Sequence, residues 1–254
     1  MSDAMKSVVF AFAMCLVCGL LLTAASNSFS GLQKKNILLD RRKNILKAAG
    51  ILDSAKKYTP KAIESLYAGN ITIVGVAPDG RIVTGREALA PGGRVLPLYL
   101  YADEMGRVRE YIIPIESNGL WGKIYGYLAL ESDGATIAGF TVYKHSETPG
   151  LGGEIEKAWF DRNFLGKKIV DQAGNFVSVK IAKGKAKQAV GKDRLVNYVD
   201  GISGATLTGS FLTKGLKRVL SEYEPVSLAF RENRLRCRIT GDVPACGSTG
   251  GSDR

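Results

Sequence analysis

Histidine is almost absent from this chain of 254 residues, and His145 is the only one. A single imidazole excludes metal centres built on several histidines, and it leaves a Ser/His/Asp triad only if that one residue serves it. A place at a strand end or in a loop is the simpler account of His145. Cysteine is scarce too. Cys15 and Cys18 form a C-x-x-C inside an apolar run, where they read as small helix- or lipid-facing residues and not as a redox or metal pair. Cys237 and Cys246 lie near the C-terminus, where they would pair in an oxidising compartment and stay reduced in a reducing one. No metal site is expected, and the strand-Gly-x-Gly-x-x-Gly-helix arrangement of a free dinucleotide site is missing. Acidic residues are outnumbered by basic ones, 24 to 35, for a net charge of +11. The basic residues are scattered and no familiar recognition motif accompanies them, so no nucleic-acid partner is expected. The excess suits acidic partners or anionic lipid. No internal repeat or low-complexity domain is present.

Charge is also missing from one long stretch. Between Lys6 and Lys34 there is none, and residues 8–25 are almost wholly apolar, close to the roughly 20 residues that a membrane-spanning helix needs. This predicts an N-terminal anchor in the lipid bilayer over residues 1–30. A cleaved signal peptide is the rival, with Thr23, Ala24 and Ala25 as small residues, but the basic n-region is weak and the apolar run long for it. Val17 before Cys18 argues against a lipoprotein signal. Lys34, Lys35, Arg41, Arg42, Lys43 and Lys47 crowd the C-terminal flank, and a positive-inside count would leave the rest of the chain in the cytoplasm.

Beyond the anchor, apolar residues at helical intervals from Leu32 to Ala49 predict a helix ended by Gly50, and Thr59-Pro60 opens a short second one. These make residues 31–69 a helical linker. Strands follow at Ile71–Val76 and 81–83, joined through Pro78-Asp79-Gly80, then at 95–101, 107–115, 124–130 and 136–143, the last two joined at Ser132-Asp133-Gly134. A helix is expected at 155–164, a strand at 177–181, and an amphipathic helix from Leu207, with Phe211, Leu212, Leu216, Val219, Leu220 and Tyr223 on one face. From Arg231 onward the chain becomes a Gly, Ser and Arg mixture with little apolar content, and residues 225–254 are expected to be a mobile tail. The class is α+β, with antiparallel strands flanked by helices over residues 70–224.

Three segments carry chemistry. Asp200-Gly201-Ile202-Ser203-Gly204-Ala205-Thr206 places hydroxyls among small residues before the amphipathic helix, whose free N–H groups and dipole favour an anion. Capping of that helix by Ser203 or Thr206 is the plainer alternative. Thr208 and Ser210 are further hydroxyls inside the first turns. Glu147-Thr148-Pro149-Gly150-Leu151-Gly152-Gly153 is a loop whose glycines let a flat ring approach, with Glu147 and Thr148 able to bond polar atoms of a ligand; an ordinary turn-rich loop reads the same way. Glu116-Ser117-Asn118-Gly119-Leu120-Trp121-Gly122 offers Trp121 either as a cover for a ring or as a core residue.

D-G-I-S-G-A-T resembles the acceptor motif of proteins to which an FMN transferase attaches FMN outside the cytoplasm, and the resemblance makes Thr206 the residue esterified to the FMN phosphate. Together with E-S-N-G-L-W, E-T-P-G-L-G-G-E and the stretch Gln33-Lys34-Lys35-Asn36-Ile37-Leu38, it is similar to the family of C subunits of sodium-translocating NADH:quinone reductases over most of residues 7–223. The tail beyond Tyr223 does not fit the pattern. The flavin-bearing G subunits of Rnf-type complexes share two of the motifs. The resemblance implies a covalent FMN supported by Ser203, Gly204, Ala205, Glu147, Thr148, Leu151, Gly152 and Trp121, with no catalytic residue of the chain's own. It implies partners among the other proteins of a membrane redox complex, electron relay, and a single-pass inner-membrane protein with its domain on the periplasmic side, against the charge count. An anchored binding or scaffold protein without flavin remains the alternative from another class.

Overall fold

Alternation of apolar residues builds the sheet. In β4 (Val108–Asn118), Tyr111, Ile113 and Ile115 turn to one face and are buried, and in β5 (Lys123–Glu131) Ile124, Leu128 and Leu130 face the same way. The computed structural model describes residues 2–53, 56–84, 95–103 and 105–232, and also the backbone of two strands at 235–240 and 243–248. Strands β1 (Ile71–Val76), β2 (Ile82–Val83), β3 (Leu96–Ala102), β4, β5 and β6 (Ile137–Lys144) form one sheet in the order β2-β1-β3-β4-β5-β6, every neighbour antiparallel. The expected turns are present. Gly80 adopts φ +86° in the first and Gly134 φ +68° in the second, where the Asp133 carboxylate accepts from the N–H groups of Ala135 and Thr136.

Helix α1 (Asp3–Ala48) contains an 18-residue window of mean hydropathy 2.6 with none of it buried, so it is long and apolar enough to cross a membrane. A bilayer core takes only about 20 helical residues, so a helix of 46 residues must continue beyond it. The chain divides into two compact units, Met1–Arg41 and Arg42–Arg254.

In the second unit both faces of the sheet are covered. On one, α5 (Thr206–Glu222) and α6 (Glu224–Arg231) close the core; Tyr111 stacks on Phe230 with ring centroids 4.7 Å apart and donates its hydroxyl proton to Ser227. Helix α5 crosses β4 so closely that a Cβ on Gly215 would lie 2.1 Å from Ser117 Oγ. On the other face, residues 42–49 and α2 (Pro60–Asn70) supply Ile45, Leu46, Ala49 and Ile63. Here Thr141 donates to Asn44, and a Cβ on Gly139 would lie 2.0 Å from the Ala48 carbonyl oxygen.

Three expectations change. The helix expected at 155–164 is a 3-10 turn, Gly152–Glu156, then a short α3 (Ala158–Arg162), because Lys157 is extended between them. The strand at 177–181 shrinks to β7 (Lys180–Ile181), which pairs in parallel with β8 (Tyr198–Val199). Residues 225–231 of the expected tail belong to α6, whose Val226 and Phe230, one helical turn apart, are buried against the sheet. Beyond it the backbone forms a hairpin of β9 (Leu235–Thr240) and β10 (Val243–Ser248); the remainder of the expected tail, 233–234, 241–242 and 249–254, lies outside the described residues.

Packing makes two outcomes testable. Gly139→Ala forces a methyl group onto a backbone carbonyl and lowers stability by about 1–3 kcal/mol, whereas Gly69→Ala, with open space around it, leaves stability unchanged or slightly raised; thermal unfolding of the full chain in detergent compares them. The second concerns Asp161, whose Oδ2 accepts from Lys47 Nζ at 2.6 Å while Oδ1 is buried without a partner. Burial pushes this carboxyl up from 3.8 to about 6, against the pull of Lys47. Between those values the folded protein holds a proton that the unfolded chain releases, so this contribution to stability is fullest below pH 3.8 and lost as pH rises through about 6. Asp161→Asn therefore flattens the fall in melting temperature over that window, and a matching slope in both proteins contradicts the assignment.

Candidate functional site

The loop before α5 is fixed from outside itself. Asp200 accepts from the Ala186 N–H at 2.8 Å and from Lys185 Nζ at 2.9 Å. Burial works to raise its carboxyl, but these donors outweigh it and hold it below the usual range. Gly201 donates its N–H to the Gly184 carbonyl, and a Cβ there would lie 2.0 Å from the Ala182 oxygen, so this residue must be glycine for the approach to exist. Gly204 turns the chain at φ +74° into Ala205, the residue that precedes α5.

Ala205 has no side chain that can cap, and no side-chain cap bond is made, so the capping explanation of the motif does not hold. Thr206 is the first residue of α5 and is exposed, as is Ser203. The N–H groups of a first helical turn have no acceptor within the helix, and here they lie beside an exposed hydroxyl. The neighbouring Thr208 is different. It is buried, and it donates its hydroxyl proton to Glu147 Oε2 at 2.5 Å.

Glu147 is the meeting point of all three segments. It is only 5% exposed. Its Oε1 accepts from the Trp121 N–H at 3.0 Å and its Oε2 from Thr208, while its own N–H donates to His145 Nδ1 at 3.0 Å. His145 in turn meets Glu156 across the loop, Nε2 to Oε2, at 3.2 Å. Two glycines press against the Glu147 carboxylate: a Cβ on Gly119 would be 2.5 Å from Oε1, and one on Gly152 2.7 Å from Oε2. Each hydrogen bond to such a group contributes on the order of 1.5–3 kcal/mol, and leaving one of its oxygens buried without a donor costs a similar amount.

Around this clasp the side chains face outward. Trp121 is 69% exposed and is therefore not a core residue; Leu120, Leu151 and Leu207 are exposed as well. They form an apolar rim on the segments that Glu147 joins. Gly204 touches the same rim, since a Cβ there would be 2.8 Å from Leu151 Cδ2. Thr148 is exposed, but its carbonyl accepts from the N–H groups of Leu151 and Gly153 and shapes the loop. Of the residues singled out in the sequence, Ser203, Gly204, Thr206, Thr148, Leu151 and Trp121 thus border open surface, while Glu147, Gly152 and Ala205 lie beneath it. Thr208, in the sequence only a further hydroxyl of the first turns, lies beneath the same surface, and Leu120 and Leu207 are exposed beside Trp121 and Thr206. Among the described residues no group of three or more His, Cys, Asp or Glu is placed to hold a metal.

The site thus joins an exposed hydroxyl at a helix start, two glycine loops and exposed apolar side chains, and the chain matches the FMN-binding domain family over residues 119–221. The C subunit of the Na(+)-translocating NADH-quinone reductase of Yersinia pestis is 31% identical over 258 residues, covering 91% of this chain and 94% of its own. Its counterpart in Vibrio vulnificus is 32% identical over 216 residues, covering 77% and 82%. The crystal structure of the C subunit from Parabacteroides distasonis superposes with a TM-score of 0.64 at 31% identity, covering 77% of this chain and 95% of that one. NqrC of Shewanella oneidensis, at 24% identity and a TM-score of 0.59, shares the fold. The chain belongs to the family of C subunits of the Na(+)-translocating NADH-quinone reductases.

The exposure of the two tryptophans gives a direct check on this surface. Trp121, at 69%, is more open than Trp159, at 39%. In the flavin-free protein Trp121→Phe therefore removes the component of tryptophan emission that acrylamide quenches more strongly, and Trp159→Phe leaves it.

Proposed function

We propose that this chain is an electron-transfer flavoprotein subunit of a sodium-translocating NADH:quinone oxidoreductase, carrying FMN through a phosphoester bond to Thr206. The observation that supports this best is the contrast between two threonines of one helical turn: Thr206 is exposed at the helix start, whereas Thr208 is buried with its proton committed to Glu147. The residues fit the group. The first turn of α5 supplies N–H donors to a phosphate, Ser203 and Gly204 leave room for it, and the rim of Leu120, Trp121, Leu151 and Leu207 suits a flat aromatic ring.

FMN, when bound, supplies reversible acceptance and release of electrons, chemistry that belongs to the cofactor. The chain binds, orients and shields. The Thr206 oxygen fixes the phosphate end, and attachment replaces a bimolecular equilibrium by a high effective concentration, which keeps a scarce cofactor from being lost. Leu120, Trp121, Leu151 and Leu207 would hold the ring by apolar contact and keep water from it. No side chain of the site needs to act as an acid or base on a substrate, and none is assigned to do so.

In this reading residues 1–30 form the anchor, 31–69 the linker and 70–224 the flavin-binding part, with the latter on the periplasmic side of a bacterial inner membrane. An FMN transferase attaches the cofactor during maturation from a flavin dinucleotide: the bond from the Thr206 oxygen to the FMN phosphorus forms as the donor's pyrophosphate bond breaks, the threonine proton passes to the enzyme or solvent, and a nucleoside monophosphate leaves. The partners are the other proteins of the redox complex. The length and exposure of the apolar window support the anchor. The orientation rests on the need for the transferase to reach Thr206, against the basic residues that follow the anchor.

Production in a host that exports the domain and contains the transferase tests this. Wild type and Thr206→Ser, which keeps a hydroxyl, are expected to show in-gel flavin fluorescence; Thr206→Ala is expected to show none. A fluorescent Thr206→Ala protein would remove Thr206 from its role. A wild type without flavin, beside a labelled acceptor protein in the same cells, would favour an anchored binding protein instead.

A further inference from the structure

We infer that Glu147 is a positioning residue for flavin attachment: buried beneath the cofactor surface, it sets the start of α5 against both glycine loops and holds Thr208 back, so that of the two threonines in this turn Thr206 is the one presented. This rests on the reading of Thr206 as the attachment residue and adds a cause for it.

The geometry argues for more than a packed side chain. A carboxylate takes a donor on each oxygen at once, and Glu147 uses this to link a backbone N–H 26 residues upstream with a hydroxyl 61 residues downstream. One partner, the Trp121 N–H, fixes the loop that carries Leu120 and Trp121. The other, Thr208, sits two residues beyond Thr206 on the same first turn of α5, so its placement dictates where the Thr206 oxygen and the free N–H groups point. The third tie, from the Glu147 N–H to His145 Nδ1, fixes the loop that carries Leu151. Gly119 and Gly152 leave just enough space for the carboxylate, and a methyl group at either would displace it.

The clasp also selects among hydroxyls. Thr208 is 2% exposed and its proton is directed at Glu147, so a transferase has no access to it. Glu147 touches no atom of the cofactor in this account. It acts through Thr208 and Trp121.

Full-length protein with Thr208→Val, Thr208→Ser, Glu147→Ala and the double variant Glu147→Ala/Thr208→Val is tested by the initial rate of flavin incorporation with a purified FMN transferase and by visible circular dichroism of the attached flavin. Thr208→Val keeps the shape of the side chain and removes only the hydroxyl, so it serves even where Glu147→Ala fails to fold. Misplacement of the reacting oxygen by a fraction of an ångström is expected to slow incorporation about tenfold in Thr208→Val and in Glu147→Ala. The double variant is expected to be no slower than either single one, because both remove the same link. Thr208→Ser, which restores the donor, is expected to recover the wild-type rate and dichroism. Wild-type rate and dichroism in both Thr208→Val and Glu147→Ala would overturn the inference while leaving the flavin reading standing, as would a serine variant no better than valine. A wild type that takes up no flavin, while an established acceptor domain is labelled in the same reaction, overturns the flavin reading and this inference with it.

Discussion

The buried carboxylate of Glu147 is the constraint on which the site depends. Three segments far apart in the chain meet there, and each meets it through a group that cannot be moved without loss: a backbone N–H, a helix-borne hydroxyl, and the loop's own backbone tied to His145. Glycine at 119 and at 152 follows from the same contact, since the space that a side chain would take is held by the carboxylate oxygens. The glycine-rich look of the two loops therefore has a cause beneath the surface as well as above it.

That arrangement needs a rigid base, and the sheet provides one. β4 ends in Ser117 and Asn118 directly before the Leu120-Trp121 loop, and β6 ends in Lys144 directly before His145 and Glu147. Helix α5 is pinned to β4 at Gly215, two and a half turns beyond Thr206. The three segments thus leave one edge of the core from elements that are packed against each other. Exposed apolar residues on such a rigid edge cost solubility unless something covers them; a flavin ring and a neighbouring protein of the complex are the covers that the proposed function supplies.

Much of this was legible in the sequence, and the rest was not for identifiable reasons. The short apolar runs of Ile71–Val76 and β5, the two glycine turns, and the helical period of α5 all report local geometry, and local geometry is what a pattern of residues encodes. The S-G-A-T string marked the helix start correctly. The role of Glu147 was hidden, because a glutamate in a Pro- and Gly-rich loop reads as solvent-facing and its partners lie 26 and 61 residues away. Thr208 looked like a spare hydroxyl for the same reason. Helix α6 is hard to see in the sequence because its eight residues run into an Arg- and Gly-rich stretch, and only Val226 and Phe230, one turn apart, mark its buried side. The break between the 3-10 turn and α3 depends on one extended residue, Lys157, whose identity gives no sign of it.

The central claim is that one hydroxyl, presented at the start of α5 by a buried clasp, carries the cofactor. A high-resolution structure of the exported, flavin-bearing chain tests it most directly. The account predicts continuous density from Thr206 Oγ to the FMN phosphorus, with the ring against Leu120, Trp121, Leu151 or Leu207 and Glu147 still bonded to Thr208 beneath it. Flavin density bonded to another residue, or a ring seated away from this rim, would contradict it.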